Sequence, residues 1–241
     1  MLVAGAHADK PSRLVASSEP IGVTGPPPRF VSRAGEKLDA AIDRFAVVVS
    51  ERRALDAGAS TGGFVDCLLQ RGASSVVAVD VGRGQLDPRI RGDRRVVVLE
   101  GRNVRSLEPA DLGAAGAVDV LTADLSFISL RTVADRLVRL TVAGGDLLLL
   151  VKPQFEVGRV EASRAKGVIV DPELWRRAVS GVASAMAAAG TGIMGVMASP
   201  IRGAAGNVEF LLHARVGAPH PAGATVAAWL DDAVVSGATI G

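Results

Sequence analysis

The sequence predicts an α/β fold: a seven-stranded, mostly parallel sheet whose last strand is antiparallel, with helices on both faces. Apolar strand-like runs alternate with helical stretches, which is typical of parallel sheets covered by helices. Only a loop, residues 199–207, separates the last two strand-like runs, so these two strands are expected to form an antiparallel hairpin at one edge. With 241 residues, 49% of them hydrophobic, the chain can bury a sizeable core.

The predicted strands are short apolar runs that are bounded by turn residues. In chain order they span residues 53–57, 75–81, 95–99, 118–123, 146–151, 193–198 and 208–216. Helices are predicted between them at 63–71, 85–92, 130–141 and 172–189, while 102–113 fits neither pattern. Ahead of the first strand, Ser32 is placed to cap a helix with apolar positions at Leu38, Ala41, Ile42 and Phe45.

Both ends of the chain are predicted to lie outside this domain, which spans residues 30–217. Residues 1–29 carry Gly, Ala, Ser and Pro without a period and end in Gly25-Pro26-Pro27-Pro28, which indicates a flexible N-terminal tail. Residues 218–241 are expected to form a C-terminal tail, in which 225–235 has the spacing of a short amphipathic helix.

Composition excludes several kinds of site. The single cysteine, Cys67, rules out an internal disulfide framework and a cysteine-clustered metal site. The histidines, His7, His213 and His220, lack metal-ligand spacing, so no metal is expected. This use of cysteine and histidine suits a reducing, cytoplasmic compartment. The apolar run at 147–151 is far too short to span a bilayer, so no membrane partner is expected. A formal net charge of +2 permits an anionic partner without demanding one.

A glycine-rich turn follows the first predicted strand, at the sheet edge where nucleotides bind in such folds. Its sequence, LDAGASTGGF at 55–64, lacks the G-x-G-x-x-G spacing of dinucleotide sites and the lysine of a Walker loop. An acid at Asp56 and close backbone approach at Gly58 suit S-adenosyl-L-methionine, which has a zwitterionic amino-acid end and no phosphate. Asp80 ends the second strand, where a carboxylate accepts both ribose hydroxyls of an adenosine. Asn103, after the third strand, is a candidate to flank the adenine.

Several motifs, in order along residues 29–216, together resemble one family. They are VSRAGEKL (31–38), LDAGASTGGF (55–64), DVGRGQL (80–86), ADLSFIS (123–129), VKPQFE (151–156), KGV (166–168) with DP (171–172), and SP (199–200) with GNVEF (206–210). The chain is similar to the TlyA family of FtsJ-like ribose 2′-O-methyltransferases. Characterised members methylate cytidine ribose in ribosomal RNA, and some carry a haemolysin label. The resemblance implies a Rossmann-like class I methyltransferase fold that uses S-adenosyl-L-methionine.

The resemblance also implies a catalytic group. FtsJ-like enzymes use a Lys-Asp-Lys-Glu tetrad at the acceptor hydroxyl, and the motif positions match Lys37, Asp124, Lys152 and Glu209. The predicted topology brings the same four residues to one sheet edge. Lys152, flanked by Asp124 and Glu209, would orient or deprotonate the hydroxyl. Early proton removal and stabilisation of a developing oxyanion both stay open, and a purely structural ion-pair cluster is the alternative.

The remaining candidate residues belong to the same edge. Cofactor binding is expected from the glycine-rich loop and the strand ends, at Asp56, Gly58, Ser60, Thr61, Gly62, Gly63, Phe64, Asp80, Val81, Asn103, Asp124 and Leu125. Ser126, Phe127 and Phe155 are expected to shape the acceptor pocket, where one of the two rings would stack on a flipped base. Packing in the core is the alternative role for both phenylalanines.

The identity of the acceptor stays open between two enzyme classes. Residues 89–105 hold six arginines, which either track an RNA backbone or form a solvated charged face. TlyA proteins begin with an S4 RNA-binding domain, where this chain has the predicted tail. We expect methylation of ribosomal RNA ribose, with a small-molecule acceptor as the alternative. A non-catalytic S-adenosylmethionine-binding protein or a haemolysin-like membrane protein is a third interpretation, against which the complete tetrad and the lack of a strongly amphipathic segment argue.

Overall fold

The computed structural model describes residues 2–8, 13–22 and 27–240. The strands are β1 (Leu2–Val3), β2 (Ala6–His7), β3 (Ile21–Gly22), β4 (Arg53–Ala57), β5 (Ser75–Asp80), β6 (Val96–Glu100), β7 (Val118–Ala123), β8 (Thr141–Val151), β9 (Thr191–Ala198) and β10 (Phe210–Val216). The helices are α1 (Ala34–Phe45), α2 (Gly63–Gln70), α3 (Pro88–Arg91), α4 (Ala134–Arg139), α5 (Pro153–Glu156), α6 (Arg159–Arg164), α7 (Pro172–Ala188) and α8 (Gly223–Ala238). Three short 3₁₀ turns lie at Val104–Ser106, Pro109–Leu112 and Leu130–Thr132.

The seven strands from β4 to β10 form one sheet in the order β6-β5-β4-β7-β8-β10-β9. Strand β4 is parallel to both of its neighbours, whereas β10 is antiparallel to β8 and to β9. The carboxyl ends of the parallel strands therefore share an edge with the beginning of β10. This arrangement confirms the predicted seven-stranded sheet and its reversed last strand.

Helices cover both faces of the sheet, because alternate strand residues point to opposite sides. On one face, strand residues such as Leu149 pack with α4, α7 and α8 in one buried cluster. On the other face, neighbours such as Leu148 pack with α1 and α2 in a second cluster. The apolar runs of the sequence thus become the middle of a three-layer domain.

Some predicted elements have different bounds, for local reasons. The helix predicted at 85–92 is only four residues long, because Asp87 caps it and Pro88 fits only its first turn. The helix predicted at 130–141 divides into a 3₁₀ turn and α4, and β8 begins at Thr141, which pairs with Val118. Ser32 does not cap α1: the N-cap is Arg33, without a side-chain cap.

A cluster of charged groups joins α1 to α2 on the outer face. Asp39 forms ion pairs with Arg29 and Arg71, and Arg71 also pairs with Asp43 at 2.7 Å. The Cys67 Sγ lies 3.9 Å from the Asp39 Oδ1. Burial is the main cause that raises the pKa of the Cys67 thiol, and the Asp39 charge adds to it. The thiol therefore stays protonated and shielded.

The two ends of the chain contain more structure than the tail predictions indicate. In the described parts of residues 2–22, three two-residue strands pair in the order β2-β1-β3. Gly25-Pro26 of the predicted tail lies outside the described residues. Helix α8 has 16 residues, and Leu230, Ala233 and Val234 are buried in the core cluster of the sheet. Residues 223–238 therefore pack on the domain instead of extending from it, and the predicted boundary at 217 does not mark the end of the core.

Replacing Leu230 with alanine is expected to lower the free energy of unfolding by about 2–4 kcal/mol, because the change removes a buried side chain and leaves a cavity. Val235→Ala is the matched control on the same helix, since Val235 is 69% exposed, and it is expected to change stability by less than about 0.5 kcal/mol. Urea unfolding measures both variants. Equal small effects would contradict a core role for α8.

Candidate active site

Titratable side chains gather at the edge where the parallel strands end. Asp80 ends β5, Asp124 follows β7, and Lys152 follows β8. Glu209 directly precedes β10, whose reversed direction brings its beginning to this edge. Lys37 lies on α1, and its side chain reaches Glu209. The structure thus brings the four predicted tetrad residues to one edge, although the last strand begins two residues later than predicted.

The four tetrad residues form two ion pairs with different exposure. Lys37 Nζ lies 2.5 Å from Glu209 Oε2, and the two side chains are only 9% and 4% exposed. Lys152 Nζ lies 2.6 Å from Asp124 Oδ1, and these side chains are 12% and 19% exposed. Lys152 also donates a hydrogen bond of 3.0 Å to Ser126 Oγ. The Lys152–Asp124 pair is therefore the less buried of the two.

A cleft of about 510 Å³ opens beside the Lys152–Asp124 pair. Predicted residues form most of its lining: Gly58, Ser60, Asp80, Val81, Asn103, Asp124, Leu125, Ser126 and Phe127. The lining also includes residues that the sequence did not single out: Val79, Gln85, Arg102, Val104, Arg105 and Ile128. Only their positions in the sequence, next to predicted residues or just after strand ends, could have indicated that these six residues line the cleft.

A smaller cavity of about 160 Å³ adjoins this cleft. The two share Gly58, Ser60 and Asp124. The rest of its lining is Ser32, Ala34, Asp56, Ala59, Thr61, Gly63 and Phe64. Gly62 belongs to neither lining; it is the N-cap of α2, with φ 97°.

Two glycines keep the backbone close around the smaller cavity. Gly58 has φ +90°, and a Cβ there would lie 2.4 Å from the carbonyl oxygen of Asp124. A Cβ on Gly63 would lie 2.2 Å from Ser32 Oγ. Any side chain at these positions would force the neighbouring backbone or Ser32 to move. The glycines of the predicted loop therefore allow Asp124 and Ser32 to pack closely against the loop that lines this cavity.

Asp56 is a fully buried carboxyl group with one unsatisfied oxygen. Thr122 Oγ1 donates a hydrogen bond of 2.8 Å to Asp56 Oδ1, while Oδ2 has no partner among the described residues. Burial raises the pKa of Asp56 to about 8, and the nearby charges of Asp124 and Asp80 add to this shift. A buried oxygen without a partner is unfavourable. This oxygen suits a cationic or hydrogen-bond-donating ligand, such as the amino-acid end of S-adenosylmethionine.

Asp80 has a structural role that the sequence did not reveal. Its Oδ2 accepts a hydrogen bond of 2.8 Å from the Ser60 amide, and its Oδ1 accepts one of 2.6 Å from the Gly82 amide. The carboxylate thus fixes the glycine-rich loop against the end of β5. Because a carboxylate offers about four lone-pair positions, it retains the capacity to accept ribose hydroxyls. Asn103 Oδ1 similarly accepts from the Arg105 amide at 3.0 Å.

Phe127 stands out in the lining of the larger cleft because it is 92% exposed and has φ +62°. Its ring centroid lies 5.2 Å from that of Phe155, at an interplanar angle of 50°. Lys152 Nζ lies 5.9 Å from the Phe155 centroid. Phe127 is therefore not part of the core, and the pair forms an aromatic surface beside the Lys152–Asp124 pair.

The arginine-rich stretch 89–105 is largely neutralised by acidic neighbours. Four of its six arginines form ion pairs, which are Arg89–Asp87, Arg91–Glu100, Arg95–Asp93 and Arg102–Asp111. This arrangement favours the solvated charged face over an RNA-tracking surface for this stretch.

A reversed strand beside the sheet edge, a glycine-rich loop after the first parallel strand and an acid at the end of the second define a Rossmann-like class I methyltransferase. Residues 30–216 match the family model of FtsJ-like methyltransferases, and the chain belongs to this family. Membership of this family makes the chain a methyltransferase.

Relatives with curated names agree with this family. The chain is 48% identical to the 16S/23S rRNA (cytidine-2′-O)-methyltransferase TlyA of Mycobacterium tuberculosis, covering 88% of this chain and 78% of that protein. It is 46% identical to YqxC of Bacillus subtilis, provisionally named an rRNA methyltransferase, covering 85% and 72%. It is 38% identical to Hemolysin A of Brachyspira hyodysenteriae, covering 77% and 76%. The predicted resemblance is confirmed.

Solved structures extend the likeness to nearly the whole chain. A protein from Streptococcus thermophilus with a provisional hemolysin name superposes with a TM-score of 0.84 at 35% identity, covering 97% of this chain and 83% of that chain. A similarly named protein from Lactococcus lactis gives 0.80 at 37% identity, covering 86% and 98%. Within the described ranges of the present chain, no helix is long and apolar enough to cross a membrane.

The Asp56→Asn variant tests the buried carboxyl group. The folded state keeps a proton on Asp56 up to about pH 8, whereas the ordinary pKa is 3.8. Since the unfolded chain binds fewer protons between these values, this group stabilises the fold less as the pH rises through that window. Asparagine does not titrate, so the unfolding free energy of the variant minus that of the wild type is expected to rise from about pH 5 to about pH 8. Urea unfolding measures it, and a constant difference would contradict the raised pKa.

The two ion pairs are expected to respond differently when a carboxylate is neutralised. Glu209→Gln leaves the buried Lys37 ammonium without its counter-charge, so the free energy of unfolding is expected to fall by about 3–5 kcal/mol. Asp124→Asn, in the more open pair, is the matched change, and a fall of about 1 kcal/mol is expected because solvent reaches Lys152. Chemical denaturation measures the free energy of unfolding of both variants. A larger loss of stability in Asp124→Asn than in Glu209→Gln would contradict the assignment of Lys37–Glu209 as the more buried pair.

Proposed function

We propose that the chain transfers a methyl group from S-adenosyl-L-methionine to a ribose 2′-hydroxyl of ribosomal RNA. The observation that carries this proposal is the Lys152–Asp124 pair, whose Asp124 lines both cavities and whose Lys152 lies near the aromatic pair of Phe127 and Phe155. The named activity of the relative that is 48% identical supports the choice of substrate. A ribosomal RNA substrate implies a cytoplasmic reaction.

The two cavities fit the proposed cofactor, which supplies an electrophilic methyl group on a sulfonium when bound. At the smaller cavity, the ammonium of the amino-acid end would lower the pKa of Asp56, because a nearby cation favours the ionised carboxylate, and the unsatisfied buried oxygen would then accept from that ammonium. Asp80 would accept from the ribose, and Val81, Asn103 and Leu125 would surround the adenine in the larger cleft. Asp56 and Asp80 thus bind opposite ends of one ligand.

Lys152 would orient the acceptor hydroxyl. An ammonium has three N–H donors; Nζ forms an ion pair with the Asp124 carboxylate at 2.6 Å and donates a hydrogen bond to Ser126 Oγ. A third donor is left for the hydroxyl oxygen of the acceptor. A ribose hydroxyl is a poor nucleophile at neutral pH, so correct alignment supplies much of the rate.

The charge on Lys152 suits stabilisation of the developing oxyanion better than proton removal in the ground state. The Asp124 carboxylate 2.6 Å away favours the charged ammonium. As the new oxygen–carbon bond forms and the sulfur–carbon bond breaks, the hydroxyl proton would pass to the Asp124 carboxylate, and the ammonium would stabilise the negative charge that develops on the acceptor oxygen as this proton leaves. We therefore propose orientation and charge stabilisation as the roles of Lys152.

The other two members of the tetrad would act by positioning. The Lys37–Glu209 pair joins α1 to the beginning of β10. Ser32 and Ala34, just ahead of Lys37 in the chain, line the smaller cavity. The ion pair thus keeps the wall of the proposed cofactor site against the sheet.

Phe127 and Phe155 would receive the base of the acceptor nucleotide. Exposure of an aromatic ring to water is unfavourable, and a base stacked on the ring would remove that exposure. Because every base has an aromatic face, stacking does not depend on which base is bound. Ser126, between Asp124 and Phe127 in the chain, joins the proposed base platform to Lys152 through its hydroxyl.

The decisive experiment is methyl transfer from labelled S-adenosylmethionine to ribosomal subunits and to naked ribosomal RNA. We expect label on ribose, and Lys152→Ala is expected to lower the rate by at least about 10²-fold because orientation and charge stabilisation are both lost. Cofactor affinity is expected to stay unchanged in the variant.

Arg139→Ala is the matched control, because Arg139 is an exposed cation in the last turn of α4, at the opposite edge of the sheet. It should transfer methyl groups like the wild type. Cofactor binding without label in any RNA would contradict the RNA substrate and favour a small-molecule acceptor. A fully active Lys152→Ala enzyme would contradict the proposed role of the lysine.

A further inference from the structure

A third cavity, of about 460 Å³, lies beside the proposed reaction centre. It shares Ser32 and Ala34 with the smaller cavity proposed for the amino-acid end of the cofactor. Lys37 of the tetrad is also in its lining. The remaining lining residues are Arg33, Arg202 and Ala204, so the described residues that line it include three cations and no carboxylate.

The positive charge of Arg33 is not paired with an acidic side chain in the described part of the chain. Its side chain is exposed, and its one hydrogen bond, from Nη2, reaches the carbonyl of Arg202 at 3.3 Å. Within the described part of the chain it forms no ion pair. Arg33 is also the N-cap of α1, where a Ser or Asp would cap the helix and where the helix dipole disfavours a cation. Helix stability therefore does not explain an arginine here.

Arg202 is a second cation, and it is held rigidly. Its Nε and Nη2 donate to the carbonyl of Ile240 at 3.0 and 2.6 Å, and its Nη1 donates to the carbonyl of Gly206 at 3.2 Å. These carbonyl groups fix the guanidinium without neutralising its charge. A guanidinium has five N–H donors, so two remain available to a ligand.

The loop that carries Arg202 packs directly on the tetrad. A Cβ on Gly203 would lie 2.4 Å from Glu209 Oε1. Glu209 in turn binds Lys37. The position of the two arginines is therefore tied to the same ion pair that shapes the proposed reaction centre.

We propose that this third cavity binds a phosphodiester group of the acceptor RNA, with Arg33 as the main donor and Arg202 as a fixed second cation. The inference rests on the proposed RNA substrate. Guanidinium groups match the oxygen geometry of phosphate, and the amino end of α1 favours an anion at the same place. Phosphate contacts set the register of a nucleic acid without reading its bases. Arg33 is thus a positioning residue that places one ribose at Lys152.

The contrast with residues 89–105 supports this location. Most arginines in that stretch have acidic partners, whereas the cations of the third cavity beside Lys37 keep free donors. An arginine without an acidic partner can neutralise a phosphate of the nucleic acid, and the counterions that this phosphate had attracted are then released. The third cavity therefore offers what the arginine-rich stretch lacks.

The test compares Arg33→Gln with Arg139→Gln in the full chain, using a ribosomal RNA fragment that the wild type methylates. Arg33→Gln is expected to raise the Kd and the KM for RNA about tenfold and to reduce the slope of log Kd against log salt by about 1. The kcat at saturating RNA and the affinity for S-adenosylmethionine are expected to stay close to wild type. Arg33→Lys should restore the salt slope, because it restores the charge.

Each outcome separates the two proposals. If the wild type methylates RNA and Arg33→Gln matches Arg139→Gln, the phosphate site is overturned while the proposed function stands. If Arg33→Gln lowers cofactor affinity instead of RNA affinity, Arg33 belongs to the cofactor site and the inference is again overturned. If the wild type transfers no methyl group to RNA, the proposed function fails and this inference fails with it.

Discussion

The buried ion pair between Lys37 and Glu209 is the interaction on which the geometry of this edge depends. It joins residues that are 172 positions apart, on α1 and at the beginning of β10. Removing two charges from water is costly, so such a pair contributes more to geometry than to stability. Phe210 lies opposite Val151 in the sheet, and this strand register brings Glu209, one residue earlier, close to Lys152, one residue later. The shapes of the smaller cavity and of the third cavity, which both adjoin α1, depend on this arrangement.

Much of this arrangement could be predicted because topology converts sequence order into spatial position. Parallel strands end at a common edge, so Asp124 and Lys152 had to be neighbours once their strands were recognised. Glu209 was harder to place, since its position at this edge depends on the reversed direction of β10. The short loop before that strand supplied the missing information, because no helical crossover fits within it.

What could not be predicted depends on contacts between distant segments. Ser32 has the sequence context of a helix cap, yet its hydroxyl lies against Gly63 and the helix begins without a side-chain cap. Asp80 was expected either to bind a ribose or to be a turn residue, and loop amides occupy part of its carboxylate. The role of α8 was missed because the helix packs against β9 and α7, which lie elsewhere in the sequence. Local pattern does not encode such neighbours, so tertiary packing overrode the expectation in each case.

The shielded Cys67 gives the protein a built-in reporter of local opening. The thiol is protonated and buried between α1 and α2, so a thiol reagent reacts only when these helices separate. The labelling rate therefore measures the free energy that keeps α1, and with it Lys37, against the rest of the domain. As this is the single cysteine of the chain, the signal needs no correction for other thiols. A ligand that tightens the α1 edge would slow the reaction, which makes binding at this edge observable without an assay of turnover.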